Sequence, residues 1–402
     1  MLSLRHQREI LPQSKVTNGS GIISLMTRIL ISRIVRSLFV LAAIAAFSAF
    51  AAAQSGRVQA TPTPTPRDDD TVRIVTEEIK LNVLAFDESG NFFRNVTNRD
   101  LVITENNILH QPTSVRRLPA NVLIVMDTGG ELRVVKNLDQ TRKVARAVVE
   151  TLRPGDSFAL MQYADKASIV AEWTNDKSQL LSAIKRTTFG RRSAFVDALK
   201  LATDFLTRSA LENKHLVLIT DGTDSFGKSS AKFDAFQRLL ATDISVHVIS
   251  YTALEAANIE PRTKSISNSP PPKAMPDEVA AQLPNGARDV AQAPKWKTIN
   301  LDRTLLKTLK ARKLDLEISQ EQLDKVAENT NGEFILPESV DEMVEKAPLV
   351  AKMIDSNYVV TYTPKIPVVS TRGIAERNIE VTSRRPGLIV QARRKLVIKN
   401  GQ

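Results

Sequence analysis

From Thr71 onward the apolar residues first fall at every second position and later gather into unbroken runs. Val72, Ile74 and Thr76, then Ile79, Leu81 and Val83, alternate with polar neighbours, the pattern of strands with one buried face. Glu88-Ser89-Gly90-Asn91 carries turn residues, and Val102-Ile103-Thr104 before Glu105-Asn106-Asn107 gives a further strand and turn. Residues 71–118 are therefore predicted to form a small all-β unit, too short for a large core of its own.

Over 119–362 the period changes. Val122-Leu123-Ile124-Val125-Met126 is apolar throughout, and residues 215–220 carry the apolar run Leu216-Val217-Leu218-Ile219 between His215 and Thr220, as suits parallel strands buried on both faces. Between them Val144, Ala147, Val148 and Leu152 recur at helical spacing until Arg153-Pro154-Gly155-Asp156 stops the helix. The same reading gives strands at 157–163 and 245–251 and helices at 176–186, 193–207 and 233–242. Helical spacing resumes at 301–316 and 321–328, Asn331-Gly332 turns into a short strand ending at Ile335, and a helix closes the run at 340–355. This alternation predicts an α/β fold with a doubly wound, mostly parallel, Rossmann-like sheet. Strands at 358–362, 378–382 and 388–398 are expected to return to the β-unit, with 363–402 as C-terminal strands. Residues 256–297 interrupt the pattern with Pro270-Pro271-Pro272 and few large apolar residues, and are read as a disordered insertion at the domain edge.

Composition adds an N-terminal address. Arg28, Arg33 and Arg36 precede an apolar run from Leu38 to Ala53 that ends in small residues, the pattern of an export signal, cleaved or kept as an anchor, over 1–53. Met26 is an alternative start. Alternating Thr and Pro from Thr61 to Pro66 make 54–70 an extended spacer. The body is thus expected outside the cytoplasm, periplasmic, in the envelope or secreted, touching membrane only through an uncleaved N-terminal segment. The net charge of +11 invites a nucleic-acid reading, but Arg5, Arg8, Lys15, Arg28, Arg33 and Arg36 against Glu9 place much of it in that leader. No nucleic-acid partner is expected. Cysteine is absent and the four histidines show no paired spacing, which removes thiolate sites and the common zinc enzymes.

Ligands of open α/β sheets bind at the carboxyl ends of the strands. Three segments bring oxygen-bearing residues there: Asp127-Thr128-Gly129-Gly130-Glu131, the loop Gly190-Arg191-Arg192-Ser193, and Asp221-Gly222-Thr223-Asp224-Ser225. Such loops could supply a hard dication such as Mg2+ with oxygens, although Asp221-Gly222 also suits a plain turn and Ser193 a helix N-cap. The order of these segments resembles the von Willebrand factor type A family, and the wider layout after Thr71 resembles the bacterial VWFA-related acidobacterial-domain proteins. The latter likeness includes Thr330-Asn331-Gly332, Tyr358-Val359-Val360-Thr361-Tyr362-Thr363-Pro364 and Pro386-Gly387-Leu388. The resemblance implies a metal-ion-dependent adhesion site, written DxSxS…T…D, with Asp127, Glu131, Ser193 and Asp221 as its metal residues here. Both motif serines are missing, since Gly129 and Glu131 stand in their places. The implied site is degenerate: it would hold Mg2+ or another divalent cation weakly, with three carboxylates crowded together. Replacing Gly129 and Glu131 by serine is expected to strengthen it.

Enzyme signatures are missing: GxGxxG, the P-loop pattern and the GxSxG elbow do not occur. His215 and His247 fall in buried strands, where packing roles dominate. The expected function is that of an extracytoplasmic, adhesion-like protein-interaction module and not an enzyme, with an unidentified protein as partner. Two other readings are a structural component of a surface or envelope complex, and a metal-dependent hydrolase with Glu131 as its base.

Overall fold

The computed structural model describes residues 77–130, 136–208, 210–227, 229–267, 298–299, 302–367 and 374–399. The expected leader at 1–53, the spacer at 54–70, Glu131 and most of the insertion lie outside these residues.

Four short strands open the fold: β1 Ile79–Phe86, β2 Leu101–Glu105, β3 Ile108–His110 and β4 Ser114–Arg116. The α/β core follows as β5 Asn121–Asp127, α1 Leu138–Thr151, β6 Ser157–Tyr163, β7 Ala167–Thr174, α2 Lys177–Arg186, α3 Phe195–Arg208, β8 Lys214–Thr220, α4 Ser229–Leu240, β9 Ser245–Ser250 and α5 Thr252–Ile259. A short hairpin, β10 Ile266–Ser267 with β11 Thr298–Ile299, precedes α6 Arg303–Asn329, β12 Phe334–Ile335 and α7 Val340–Asp355. The chain ends in β13 Asn357–Tyr362, β14 Ile374–Ser383, β15 Ile389–Ala392 and β16 Lys395–Lys399.

The central sheet has the order β12-β9-β8-β5-β6-β7. All its pairs are parallel except β6–β7, which is antiparallel and forms an edge that the sequence reading missed. The apolar run of β5 serves two cores. Val122, Ile124 and Met126 pack with Val144 and Val148 of α1, Ile184 of α2 and Met343 and Val350 of α7. Leu123 and Val125 pack on the other face with Phe195 and Leu199 of α3, Phe236 of α4 and Leu323 of α6. A strand that alternates between two apolar layers must be apolar at every position, which is why its run is continuous. His215 and His247 lie inside this layer, stacked at 5.3 Å and held neutral by burial, which pushes His247 down to about 3.

The flanking strands form two four-stranded sheets, β15-β1-β13-β4 and β16-β14-β2-β3, around a shared core that includes Leu81, Val83, Ile103, Tyr358 and Tyr362. Ile79 pairs with Tyr362 and Ile379 with Glu105, so the unit is built from both flanks of the α/β core. It is fastened at the amino ends of the parallel strands. Asn82 Nδ2 donates to Ser245 Oγ at 2.8 Å, Asn357 Nδ2 to Asn213 Oδ1 at 2.6 Å, and Arg393 Nη1 to the Thr242 carbonyl at 2.8 Å. The carboxyl ends of the strands are left at the opposite pole.

Three sequence expectations need correction. The disordered insertion was expected from 256, but α5 runs to Ile259, a 3-10 turn spans Glu260–Thr263, and Ile259 packs with Leu309 and Leu316. The helices expected at 301–316 and 321–328 are one helix, α6: Asp302 caps it, and Leu309, Leu316 and Leu323, seven residues apart, continue its buried seam. The single strand expected at 388–398 is two, because Arg393 is buried and turns the chain from one sheet into the other. Among the described residues no helix is long and apolar enough to cross a membrane.

Candidate functional site

The site is assembled where β5 and β8 end. Asp127 is the last residue of β5 and Asp221 follows β8 directly, and both are fully buried. Parallel pairing in register, Met126 opposite Ile219, brings the two carboxylates to the same level. Asp127 Oδ1 accepts from the Gly129 amide at 3.1 Å, and its Oδ2 accepts from Ser193 Oγ at 3.4 Å. Asp221 Oδ1 accepts from the Thr223 amide at 2.8 Å and from Thr223 Oγ1 at 2.7 Å. The turn that allows this needs Gly222, whose φ is +66° and whose missing side chain leaves room for Leu323 of α6.

The Oδ2 atoms of the two carboxylates are bridged by a lysine. Lys136, just before α1, donates from Nζ to Asp127 Oδ2 at 2.7 Å and to Asp221 Oδ2 at 3.0 Å. Its side chain is 4% exposed, so the pair of bonds is made out of water. Arg312 of α6 adds a second cation: Nη2 donates to Asp221 Oδ2 at 3.2 Å and Nη1 to Thr223 Oγ1 at 2.6 Å. Glu255 of α5, also buried, accepts from the Lys136 backbone amide at 3.2 Å.

The protonation states follow from this arrangement. Burial alone would lower the Lys136 pKa, but Asp127 and Asp221 hold it above its ordinary value, so the ammonium is permanent. Burial raises Asp127 to about 6 against the pull of Lys136. Asp221 is also buried, yet Lys136 and Arg312 together hold it below the usual carboxylate range. Burial and the neighbouring charge of Asp221 push Glu255 up to about 7.

Of the four residues expected to hold a metal, Asp127, Ser193 and Asp221 converge, and Glu131 lies outside the described residues. The donor set does not fit a hard dication. Both oxygens that face the shared centre, Asp127 Oδ2 and Asp221 Oδ2, are already bonded to an ammonium. A cation in that centre cannot also admit Mg2+, which demands near-octahedral oxygen ligation. Among the described residues no group of three or more acidic or histidine side chains is arranged to hold a metal ion. Gly129, read from the sequence only as a lost ligand, has a further reason. A Cβ there would collide with the Arg192 carbonyl oxygen and lie 2.9 Å from Ala164 Cα. The expected restoration by serine therefore meets a steric obstacle at this position, because the loop carrying Arg192 passes over it. Of the three carboxylates expected to crowd together, Asp127 and Asp221 are compensated by Lys136 and Arg312, and Glu131 lies outside the described residues.

Ser193 is also not the N-cap of α3. The helix begins at Phe195, and Asp224 Oδ2, from the loop after β8, accepts from the Val196 amide at 2.7 Å. Ser193 instead ties two loops together, its amide donating to Ser225 Oγ and its carbonyl accepting from the Ser225 amide.

Residues 122–223, from β5 through the turn after β8, match the family model described as von Willebrand factor type A domain. The chain contains a type A domain. Among solved structures, the conserved hypothetical protein BatB from Bacteroides thetaiotaomicron is similar at 14% identity, with 58% of this chain and 98% of that one covered and a TM-score of 0.34. A von Willebrand factor type A protein from Catenulispora acidiphila is similar at 11% identity, covering 76% of this chain and 74% of that one with a TM-score of 0.39. The PilB minor pilin from Streptococcus sanguinis, as a variant, is similar at 11% identity over 60% and 62% of the two chains, with a TM-score of 0.35. No match is found among curated proteins.

Sequence reasoning missed Lys136, Arg312 and Glu255 in the type A site. One signal was there: Lys136 lies in the same loop as the two absent serines, behind the apolar Val134-Val135. A loop that loses its metal-binding oxygens and carries a lysine can supply the missing charge itself. Arg312 and Glu255 arrive from α6 and α5, more than 25 residues beyond the matched segment, and no local pattern links them to Asp221.

Proposed function

We propose that this protein is an exported protein-interaction module whose type A domain engages a protein partner without a divalent cation. The observation that carries this reading is the buried ammonium of Lys136 between Asp127 and Asp221. It satisfies the two carboxylates that a dication would otherwise neutralise. Burying two carboxylates without a counter-charge is costly, so a type A site needs a cation of some kind, and a tethered one is present at all times. The arginine-flanked apolar run before Gln54 supports export, and the Thr/Pro stretch supports a spacer between that run and the folded body. The β-unit at the amino ends of the strands supports binding at the other pole, which it leaves uncovered.

The test is capture of partners from cell-envelope fractions on the immobilised chain, in parallel with Mg2+ and with EDTA. The same partner should be retained in equal amounts under both conditions. Release of that partner by EDTA would refute metal-independent binding.

A further inference from the structure

Beside the Lys136 centre, a cavity of about 210 Å3 opens between the loop after β8, the start of α4 and the outer face of α6. Arg312 forms part of its wall, so the cavity shares a residue with the centre itself. Lys232 of α4 lines it too. The Lys232 ammonium donates to Ser319 Oγ at 2.9 Å and lies 5.6 Å from the centre of the Phe195 ring. Among the described residues no carboxylate comes within 4 Å of it, whereas Lys136 has two. Burial lowers its pKa to about 8 against the pull of Asp221, Asp224 and Asp315.

Two carboxylates, Asp224 and Asp315, also line the cavity and draw on Lys232 from a distance, but neither forms an ion pair with it. Asp224 spends its oxygens on the backbone amides of Val196, Phe226 and Gly227. Asp315 is exposed on α6, where water screens it. A half-buried ammonium facing a void beside a guanidinium is the arrangement that a carboxylate from outside would complete. The volume limits the ligand: small-molecule pockets usually span about 300–1,000 Å3, so this one admits a single side chain and not a cofactor. Its surroundings favour a protein as the source. Ile318 in the wall is 44% exposed, and Phe226 and Phe233, next in sequence to the lining residues Gly227 and Lys232, are 50% and 60% exposed. The Arg192 guanidinium lies 5.1 Å from the Phe226 ring centre and brings another positive charge to that side. Exposed aromatic and aliphatic groups around a hollow with Lys232 and Arg312 in its wall match a polypeptide that offers an acidic residue among apolar ones.

We infer that this cavity receives one carboxylate from an acidic side chain of the partner protein, with Lys232 and Arg312 as its cationic receptors. The inference rests on the protein-interaction reading above and names the chemistry of the partner. Binding would bring the incoming carboxylate to the guanidinium that already holds Asp221, so the occupied cavity and the Lys136 centre would share one network of charge-assisted hydrogen bonds.

The experiment is an amide NMR titration of the 15N-labelled exported chain with blocked glutamate, N-acetyl-Glu-N-methylamide. Blocked glutamine and inorganic phosphate serve as separate arms, and Lys232→Met as the variant. Blocked glutamate should give saturable shifts at Thr223 and Gly227, and its Kd should rise at least about tenfold in Lys232→Met, as expected for losing a charge-assisted hydrogen bond. Blocked glutamine should give no saturable shift. The variant keeps an apolar stem against Phe195 and Phe236 and removes an ammonium that burial disfavours, so its Tm should equal or exceed that of the natural chain. Equal shifts with glutamine, an unchanged Kd in the variant, or a lower Tm with unchanged binding would each overturn the assignment. Tighter binding of phosphate than of glutamate would make the cavity a general anion site and would also overturn it. Failure here leaves the chelator test untouched, because that test reads the partner itself.

Discussion

Lys136 Nζ donates to Asp127 Oδ2 at 2.7 Å in a site where the carboxylate is fully buried and the lysine nearly so. A tethered ammonium differs from Mg2+ in one practical respect: chelation cannot remove it. The natural chain should therefore show the same Tm with EDTA and with millimolar Mg2+. Lys136→Ala leaves Asp127 buried without its ammonium and Asp221 with Arg312 alone, and breaking a buried ion pair costs roughly 3–5 kcal/mol. In that variant, space and negative charge appear together, so Mg2+ should recover part of the lost Tm by binding linkage. Calorimetry on both proteins with and without Mg2+ is the check. A Tm response to Mg2+ in the natural chain would show that the lysine does not fill the metal's place.

Gly129→Ser, the change that would rebuild the type A motif, should damage the protein. Its Cβ has no room beside the Arg192 carbonyl and Ala164. Overpacking of this kind costs about 1–3 kcal/mol or more, here because backbone atoms and not side-chain ends must yield. Denaturant unfolding should show a lower midpoint, and titration calorimetry should show no gain in Mg2+ affinity. A stable variant with tighter Mg2+ binding would mean that the 190–192 loop moves freely.

Glu255 gives the stability an unusual pH dependence. Its pKa is raised in the folded state to about 7, from an ordinary 4.5. A carboxyl with a raised folded pKa contributes stability that is complete below the unfolded pKa and is lost as pH climbs through the folded one. Asp127, raised to about 6, acts in the same direction. The depressed Asp221 acts oppositely, but only below its ordinary range near 4. Between about pH 7.5 and 5 the protein should thus become more stable as the solution is acidified, by these groups. Glu255→Gln keeps an oxygen for the Lys136 amide and removes the titration, so thermal unfolding across this range should show a flatter profile. An identical profile in the variant would place the dependence elsewhere.

Ser267 and Thr298 are paired neighbours across β10 and β11, although thirty residues of sequence separate them. A two-residue Asn-Gly turn can join such ends. A chain in which residues 268–297 are replaced by Asn-Gly should unfold within a few degrees of the natural one, about the shift that 1 kcal/mol produces in a domain of this size. A larger drop would show that the removed segment packs on the folded body.

Much of the fold was legible because the central strands are buried on both faces. Val122 through Met126 and the run before Asp221 can only be apolar when helices cover each side, and the stop at Arg153-Pro154-Gly155-Asp156 ended α1 as read. Edges were harder. β7 is half-exposed along its length, and Val170 between Ile169 and Ala171 breaks the alternation that would mark it as a strand. In α6 the buried seam includes Ser319, which reads as a break in a sequence but lies against Gly222. The site divided in the same manner. Asp127 and Asp221 were visible because carboxylates close buried strands, whereas Arg312 and Glu255 meet them only through the packing of α5 and α6. Gly129 was visible as a missing oxygen and not as a place where the backbone of another loop passes.

The fastening of the β-unit also sets an order of assembly. Ile79 waits for Tyr362 and Val83 for Ala392, partners that leave the ribosome some 280 to 310 residues later. Until then β1 lacks both of its sheet neighbours, β13 and β15. Contacts this distant in sequence slow the final step and extend the life of the open form. Under the export proposed above, late closure of the lead-in strand would keep the passenger open for translocation until its last strands have emerged.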